Sequence, residues 1–313
     1  MRAYADLRFA CMGSDFRVVV EEGPDVHRIA THARRLLERF DRALTRFDES
    51  SELSRLNADR RTTVAVSPML CAVVDAAIRA SRITGGLIDC TLTDAIEQAG
   101  YRTTRRGETP IELRQALAAA PPRVPARPDP LRSWETIRTD RSACSISREP
   151  GIRIDLGGVA KGYAADAAAR LLRGGGARRF FVDCAGDIAI ESGDAGAYEI
   201  AVEAAFGGEI AATIPLARGG IATSGIDRRI WRGPDGIPAH HLLDPSTGRP
   251  AWTGLVSVTA VGVSALEAET SAKTALLAGA EAAREMLARH GGVIVHDDGA
   301  VELLAAQREP VAA

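Results

Sequence analysis

Asp155-Leu-Gly-Gly-Val-Ala-Lys161-Gly-Tyr163 joins an approach segment, Gly151-Ile-Arg-Ile-Asp-Leu156, to an Ala/Leu-rich run that continues through Arg173. The approach alternates apolar with polar residues and predicts a strand, while the spacing after it predicts an amphipathic helix. The first N–H groups of a helix lack internal partners and favour negative charge, so glycine turns feeding a helix are places where proteins hold phosphates. Gly158 and Gly162 let the backbone come close to a ligand, and Lys161 adds a positive charge beside the helix start. The glycine spacing fits neither a dinucleotide-binding GxGxxG nor a nucleoside-triphosphate P-loop. Read alone, the stretch also fits an ordinary strand-to-helix connection with a solvated lysine.

Outward from this stretch, the chain reads as short strands with turn glycines and a few helices. Leu7 to Met12 and Asp15 to Glu21 form paired strands around Met12-Gly-Ser14, and Val26 to Phe47 reads as a helix with Leu36, Leu37, Phe40 and Leu44 on one face. Ser67-Pro68 is a helix start, serine as cap and proline in the first turn, and that helix runs to Ile83 before Gly85-Gly86 stops it. Arg102 to Pro130 is rich in Arg and Pro and reads as a surface excursion with one short helix near Ile111 to Ala119. Arg179 to Asp183, Tyr198 to Val202, Glu209 to Ile214 and Leu255 to Val263 are strand candidates. The fold class expected is α+β, antiparallel sheets with helices packed on one side. Residues 1–313 read as one domain, with a lobe boundary within 121–150.

Composition narrows the function classes. With 313 residues, 46% of them hydrophobic, the chain can bury a large core. A formal charge of −2 leaves no basic excess for nucleic acid, and 4% aromatics give no base-stacking platform. Cysteines 11, 71, 90, 144 and 184 are scattered, without a CxxC or Cys/His cluster, and read as reduced, buried thiols. The first residues lack the apolar run of a secretory signal, and no apolar run approaches transmembrane length, so a cytoplasmic protein without stable membrane insertion is expected.

Further motifs stand in a characteristic order. Met12-Gly-Ser14 is followed by Phe47-Asp-Glu-Ser-Ser-Glu-Leu-Ser-Arg-Leu-Asn57 and Gly85-Gly-Leu-Ile-Asp89-Cys-Thr91. After the opening stretch come Asp183-Cys-Ala-Gly-Asp187, Ala222-Thr-Ser-Gly225, His241-Leu-Leu-Asp244-Pro-Ser-Thr247-Gly248 and an Ala/Glu helix ending at Gly279. In this order and at about these separations, the chain resembles the FAD:protein FMN transferases, the ApbE-like family, over nearly its whole length. The resemblance implies an FAD cleft between two lobes and a magnesium-dependent enzyme that cuts the FAD pyrophosphate. It attaches FMN to a threonine of a flavin-accepting target protein and releases AMP. Met12, Phe47, Leu87, Ile88, Asp89, Asp155 and Lys161 fall where the family contacts FAD, and Gly158 where a backbone carbonyl contributes to the metal. Phe47 stands where a tyrosine is common, which keeps ring stacking and removes a hydroxyl.

Phosphoryl transfer needs charge around the pyrophosphate and a group to take the incoming hydroxyl's proton. Lys161, the helix N-terminus and Arg249 are candidates for the first task, and His241 is the candidate for the second and an FAD contact. The other reading of His241 is that it fixes the Asp244-Pro-Ser-Thr-Gly turn, with His240 exposed beside it. One departure from the family pattern stands out. Where its last helix carries an Asp and, one turn later, a Thr that ligate metal, this chain has Glu269 and Lys273. A lysine presents only donors and cannot be a magnesium ligand. A one-residue shift brings Thr274 into place, with Thr270 where the carboxylate belongs. Two readings of Lys273 follow: an ammonium near the place of the metal, or an ordinary surface salt bridge to Glu269. The first leaves open an alternative function, an FAD-binding flavin carrier or flavin-dependent reductase without transferase activity. The oligomeric state is open.

Overall fold

The computed structural model describes residues 4–105 and 108–307. Eight helices are found among them: α1 (Val26–Leu44), α2 (Glu52–Ala58), α3 (Pro68–Ile83), α4 (Thr93–Gln98), α5 (Leu113–Ala118), α6 (Ala160–Gly174), α7 (Ala265–Ala278) and α8 (Ala280–Leu287). The frame is an antiparallel sheet of eight strands. Its order is Ala5–Cys11, Ser14–Glu22, Arg179–Cys184, Asp187–Glu191, Arg218–Gly225, Leu255–Gly262, Gly292–His296 and Val301–Leu304. Helices α1, α6 and α7 pack on this sheet, which gives the α+β class expected.

The first hairpin shows why its sequence turns. Met12 and Gly13 both have positive φ, 48° and 69°, and Cys11 pairs with Ser14 across them. Left-handed backbone at both central residues matches the twist of the strands, so a two-residue turn suffices. Helix α3 starts as expected, with Ser67 Oγ accepting the Leu70 N–H at 3.1 Å and Pro68 in the first turn. Helix α1 stops at Leu44, before the expected Phe47. Thr45 turns extended and its carbonyl accepts from Ser51 Oγ, which swings Arg46 and Phe47 off the helix.

The opening motif is the main correction. Residues 151–156 form no strand. The Asn57 carboxamide takes both backbone groups of Ile154, accepting its N–H at 2.8 Å and donating to its carbonyl at 2.8 Å, and Asp155 N–H goes to the Cys90 carbonyl. A side chain thus satisfies what a neighbouring strand would otherwise pair. Helix α6 follows as expected, but Gly162 serves another helix: a Cβ there would lie 2.7 Å from the Ala265 carbonyl oxygen of α7.

Among the described residues two main apolar cores result, with a smaller third cluster of Val202, Val293 and Val295. One gathers α1, α3 and α6 beneath Phe16, Val18, Phe180 and Val182; the other gathers α7, α8, Trp252 and Val258. Residues 121–150 run from one to the other. Val124 and Ala126 N–H groups donate to the Trp252 and Leu277 carbonyls, and Trp134 and Ile137 enter the first core. The Arg/Pro segment is therefore partly anchored; its Arg106 and Gly107 lie outside the described residues. Cys11, Cys71, Cys90 and Cys184 are buried free thiols, whereas Cys144 is half-buried. No helix among the described residues is long and apolar enough to cross a membrane.

Candidate active site

A cavity of about 400 Å³ lies between the two cores. Leu44, Leu53, Leu87, Ile88 and Leu277 give it apolar lining, and Lys161, Arg229 and Lys273 gather around His241 in its wall. Met12, Phe47, Asp89, Asp155 and Gly158 also line it, so every residue expected at FAD, and the glycine expected near a metal, is brought to one place.

Phe47 meets Tyr101 edge-on at 5.4 Å, and Tyr101 stacks on Trp231 at 5.4 Å. Arg46 lies over the Phe47 ring at 4.3 Å and binds Asp155 Oδ2 at 2.8 Å. Asp155 is thus held by an arginine, and its other oxygen accepts the Gly157 N–H at 2.7 Å. Asp89 Oδ1 accepts from the Thr91 N–H and hydroxyl, while Oδ2 is buried without a partner. Burial pushes the Asp89 carboxyl above its ordinary value, against the pull of the Thr91 bonds. An acceptor buried and unsatisfied in this way is suited to a ligand N–H.

The polar end is built on the meeting of α6 and α7. The Lys161 ammonium pairs with Asp187 Oδ2. Burial alone would lower the Lys161 pKa, but the Asp187 and Glu269 charges outweigh it and the ammonium is held protonated. Glu269 Oε2 accepts the Gly162 N–H at 2.9 Å, so a protein carboxylate already occupies the helix start where an anion was expected. Burial first, then the Asp187 charge, raises the Glu269 carboxyl. Lys273 donates to the Gly158 carbonyl at 2.6 Å and to Glu269 Oε1 at 3.4 Å. The Lys273 and Glu269 side chains are 12% and 2% exposed, so the pair is no surface salt bridge.

The residues here do not fit magnesium. The Gly158 carbonyl is taken by an ammonium and both Glu269 oxygens are engaged. The Thr274 hydroxyl is buried and donates to the Thr270 carbonyl at 2.7 Å, so it is no ligand either. Among the described residues, no group of three or more His, Cys, Asp or Glu could hold a metal ion. Magnesium asks for near-octahedral oxygen.

The histidines also depart from expectation. Asp244 builds its turn by itself, accepting at Oδ1 from the Ser246 N–H and hydroxyl, so His241 is not its brace. His241 faces the cavity with Nδ1 buried and unpartnered. Burial, then the Arg229 charge, pushes its pKa well below the ordinary value, so the ring is neutral. His240, expected exposed, is 0% exposed, packed edge-on against Trp252 at 4.7 Å. Burial lowers it to about 3. A buried neutral histidine stabilises the fold above its unfolded pKa of about 6.5, and that contribution is lost as pH falls from there through about 3. Full loss is on the order of 5 kcal/mol. The urea midpoint is therefore expected to drop between pH 7 and 4. In His240→Asn, whose side-chain oxygen can still accept the Leu242 N–H, the drop should be smaller; equal drops would contradict the assignment.

Arg249 is exposed and does not line the cavity; Arg229, which donates to Ser14 Oγ at 2.8 Å, stands there in its stead. Arg229 and Tyr101 were missed from sequence, as was Trp231, which backs Tyr101 from outside the cavity lining. Arg229 does follow closely on Ala222-Thr-Ser-Gly225, the one signal that could have marked it.

The ApbE family profile matches residues 12–295. The chain belongs to the ApbE family. Among curated ApbE relatives, the Salmonella typhimurium protein named FAD:protein FMN transferase is 29% identical over 293 residues, covering 90% of this chain and 80% of the relative. The Escherichia coli K12 protein of the same name is 27% identical over 290 residues, with the same coverage. The ApbE crystal structure from Thermotoga maritima superposes with a TM-score of 0.78 at 26% identity, covering 96% of this chain and 97% of that one.

Proposed function

We propose that this protein is an FAD:protein FMN transferase, with residues 1–313 acting as one catalytic unit. The observation that carries the reading is one cavity lined both by apolar and aromatic side chains suited to a flavin ring and by a cluster of cationic side chains suited to a pyrophosphate, in a chain of the ApbE family. The acceptor is a threonine hydroxyl of a second protein. Its oxygen attacks the phosphorus of the FMN half, a new P–O bond forms, and the bond from that phosphorus to the bridging oxygen breaks. AMP leaves with the electron pair, and the hydroxyl proton must be taken up.

His241 is the proton acceptor in this reading. Its ring is neutral, with a lone pair to give, and burial first, then nearby cations, keep its basicity low. Binding of the negatively charged pyrophosphate offsets the cationic part of that lowering and so raises its basicity. No step runs through magnesium, whose ligands the site does not provide. Free thiols throughout suit a reducing compartment, in keeping with a cytoplasmic location. The carrier or reductase alternative has no support in the names of the curated relatives.

Phe47 gives the most direct binding test. Phe47→Ala is expected to weaken FAD binding by about tenfold and Phe47→Tyr to leave it nearly unchanged, since stacking area and not a hydroxyl is at issue. Titration of flavin fluorescence reads both, and equal affinities for all three proteins would remove Phe47 from the flavin site.

A further inference from the structure

We propose that the Lys273 ammonium is the resident cation of the pyrophosphate site, holding the charge of the dinucleotide without a divalent metal. The proposal rests on the reading of the cavity as an FAD site. Lys273 stands on α7 and lines the cavity, with two of its three ammonium protons given to Gly158 O and Glu269 Oε1. The third is left for a ligand oxygen.

The position is fixed from both sides. Glu269 is tied to the start of α6 through the Gly162 N–H, and Asp166 of α6 accepts the Ala265 and Leu266 N–H groups at the start of α7. The helix that carries the lysine is thereby locked to the turn that carries Gly158. Gly158 lies close on the ammonium: a Cβ there would sit 3.6 Å from Lys273 Nζ. Lys161 and Arg229 also line the cavity, and all three cationic side chains act on His241, so they converge on one place. Two of them are paired with buried carboxylates, Lys161 with Asp187 and Lys273 with Glu269.

A preorganised ammonium stabilises negative charge developing on the non-bridging oxygens as the P–O bond breaks. The oxygens that a hard cation would need are the ones the lysines have taken.

The test compares wild type, Lys273→Met and the double variant Lys273→Met/Glu269→Gln. The double variant removes the carboxylate charge that the single one leaves buried and unpaired. FAD and riboflavin affinities are read by flavin fluorescence, in EDTA and in magnesium. The wild type is expected to bind FAD equally in both, within about twofold. The double variant should bind FAD about tenfold or more weakly in EDTA, with riboflavin, which lacks the pyrophosphate, unaffected. Wild-type affinity for FAD that rises about tenfold with magnesium overturns the proposal. So does a double variant that keeps its FAD affinity, or one that loses riboflavin equally. Absence of FAD binding by the wild type in either buffer instead removes the functional reading, and this inference with it.

Discussion

Lys161→Met is expected to lower FMN transfer by about a thousandfold and to destabilise the fold by about 3–5 kcal/mol. The two effects have separate causes. Asp187 is 1% exposed and its partner is the Lys161 ammonium, so methionine leaves a carboxylate buried without a counter-charge. Removing one member of a buried pair costs far more than the pair itself is worth. The loss of transfer comes from the ammonium's place at the cationic end of the cavity. Lys161→Met/Asp187→Asn separates them, since asparagine needs no counter-charge. Urea denaturation of the double variant should recover most of the lost stability while AMP release stays low. Wild-type AMP release from the double variant would show that Lys161 serves the fold alone.

Gly162→Ala is expected to cost about 1–3 kcal/mol or more and to weaken FAD binding at the same time. Its Cβ would sit 2.7 Å from the Ala265 carbonyl oxygen and 2.8 Å from Leu266 Cα, both backbone atoms with no rotamer to yield. The clash pushes α7 away from α6, and α7 carries Glu269 and Lys273. Stability and ligand affinity therefore fall together. Gly174→Ala, on the same helix, meets nothing within 4 Å and serves as the control. It should be neutral or stabilising, because alanine has less backbone freedom to lose in a helix. Thermal unfolding of the two variants distinguishes the cases, and a Gly162→Ala protein as stable as Gly174→Ala would contradict the close helix contact.

What was legible in the sequence was local. Met12-Gly13 shows its turn through Gly13, which takes left-handed backbone without strain, and Ser67-Pro68 shows the start of α3 through its cap. The residues around FAD could be named because they sit in short ordered motifs. What was not legible depended on partners distant in the chain. Residues 151–156 alternate like a strand, yet Asn57 claims their backbone groups. Gly162 looked like a glycine for a ligand, and its neighbour is a helix more than a hundred residues later. His240 and His241 are adjacent, and only the packing of Trp252 against one and the cavity beside the other separate their roles. The Phe47, Tyr101 and Trp231 ladder draws on three segments that no spacing relates.

The most direct measurement incubates the purified protein with FAD and a protein extract of its host, in EDTA and in magnesium, and follows nucleotides by chromatography and proteins by denaturing electrophoresis. The account predicts AMP release and a fluorescent flavin band that survives denaturation, in EDTA as well as in magnesium. FAD recovered intact in both buffers, with no flavin attached to any protein, would contradict it.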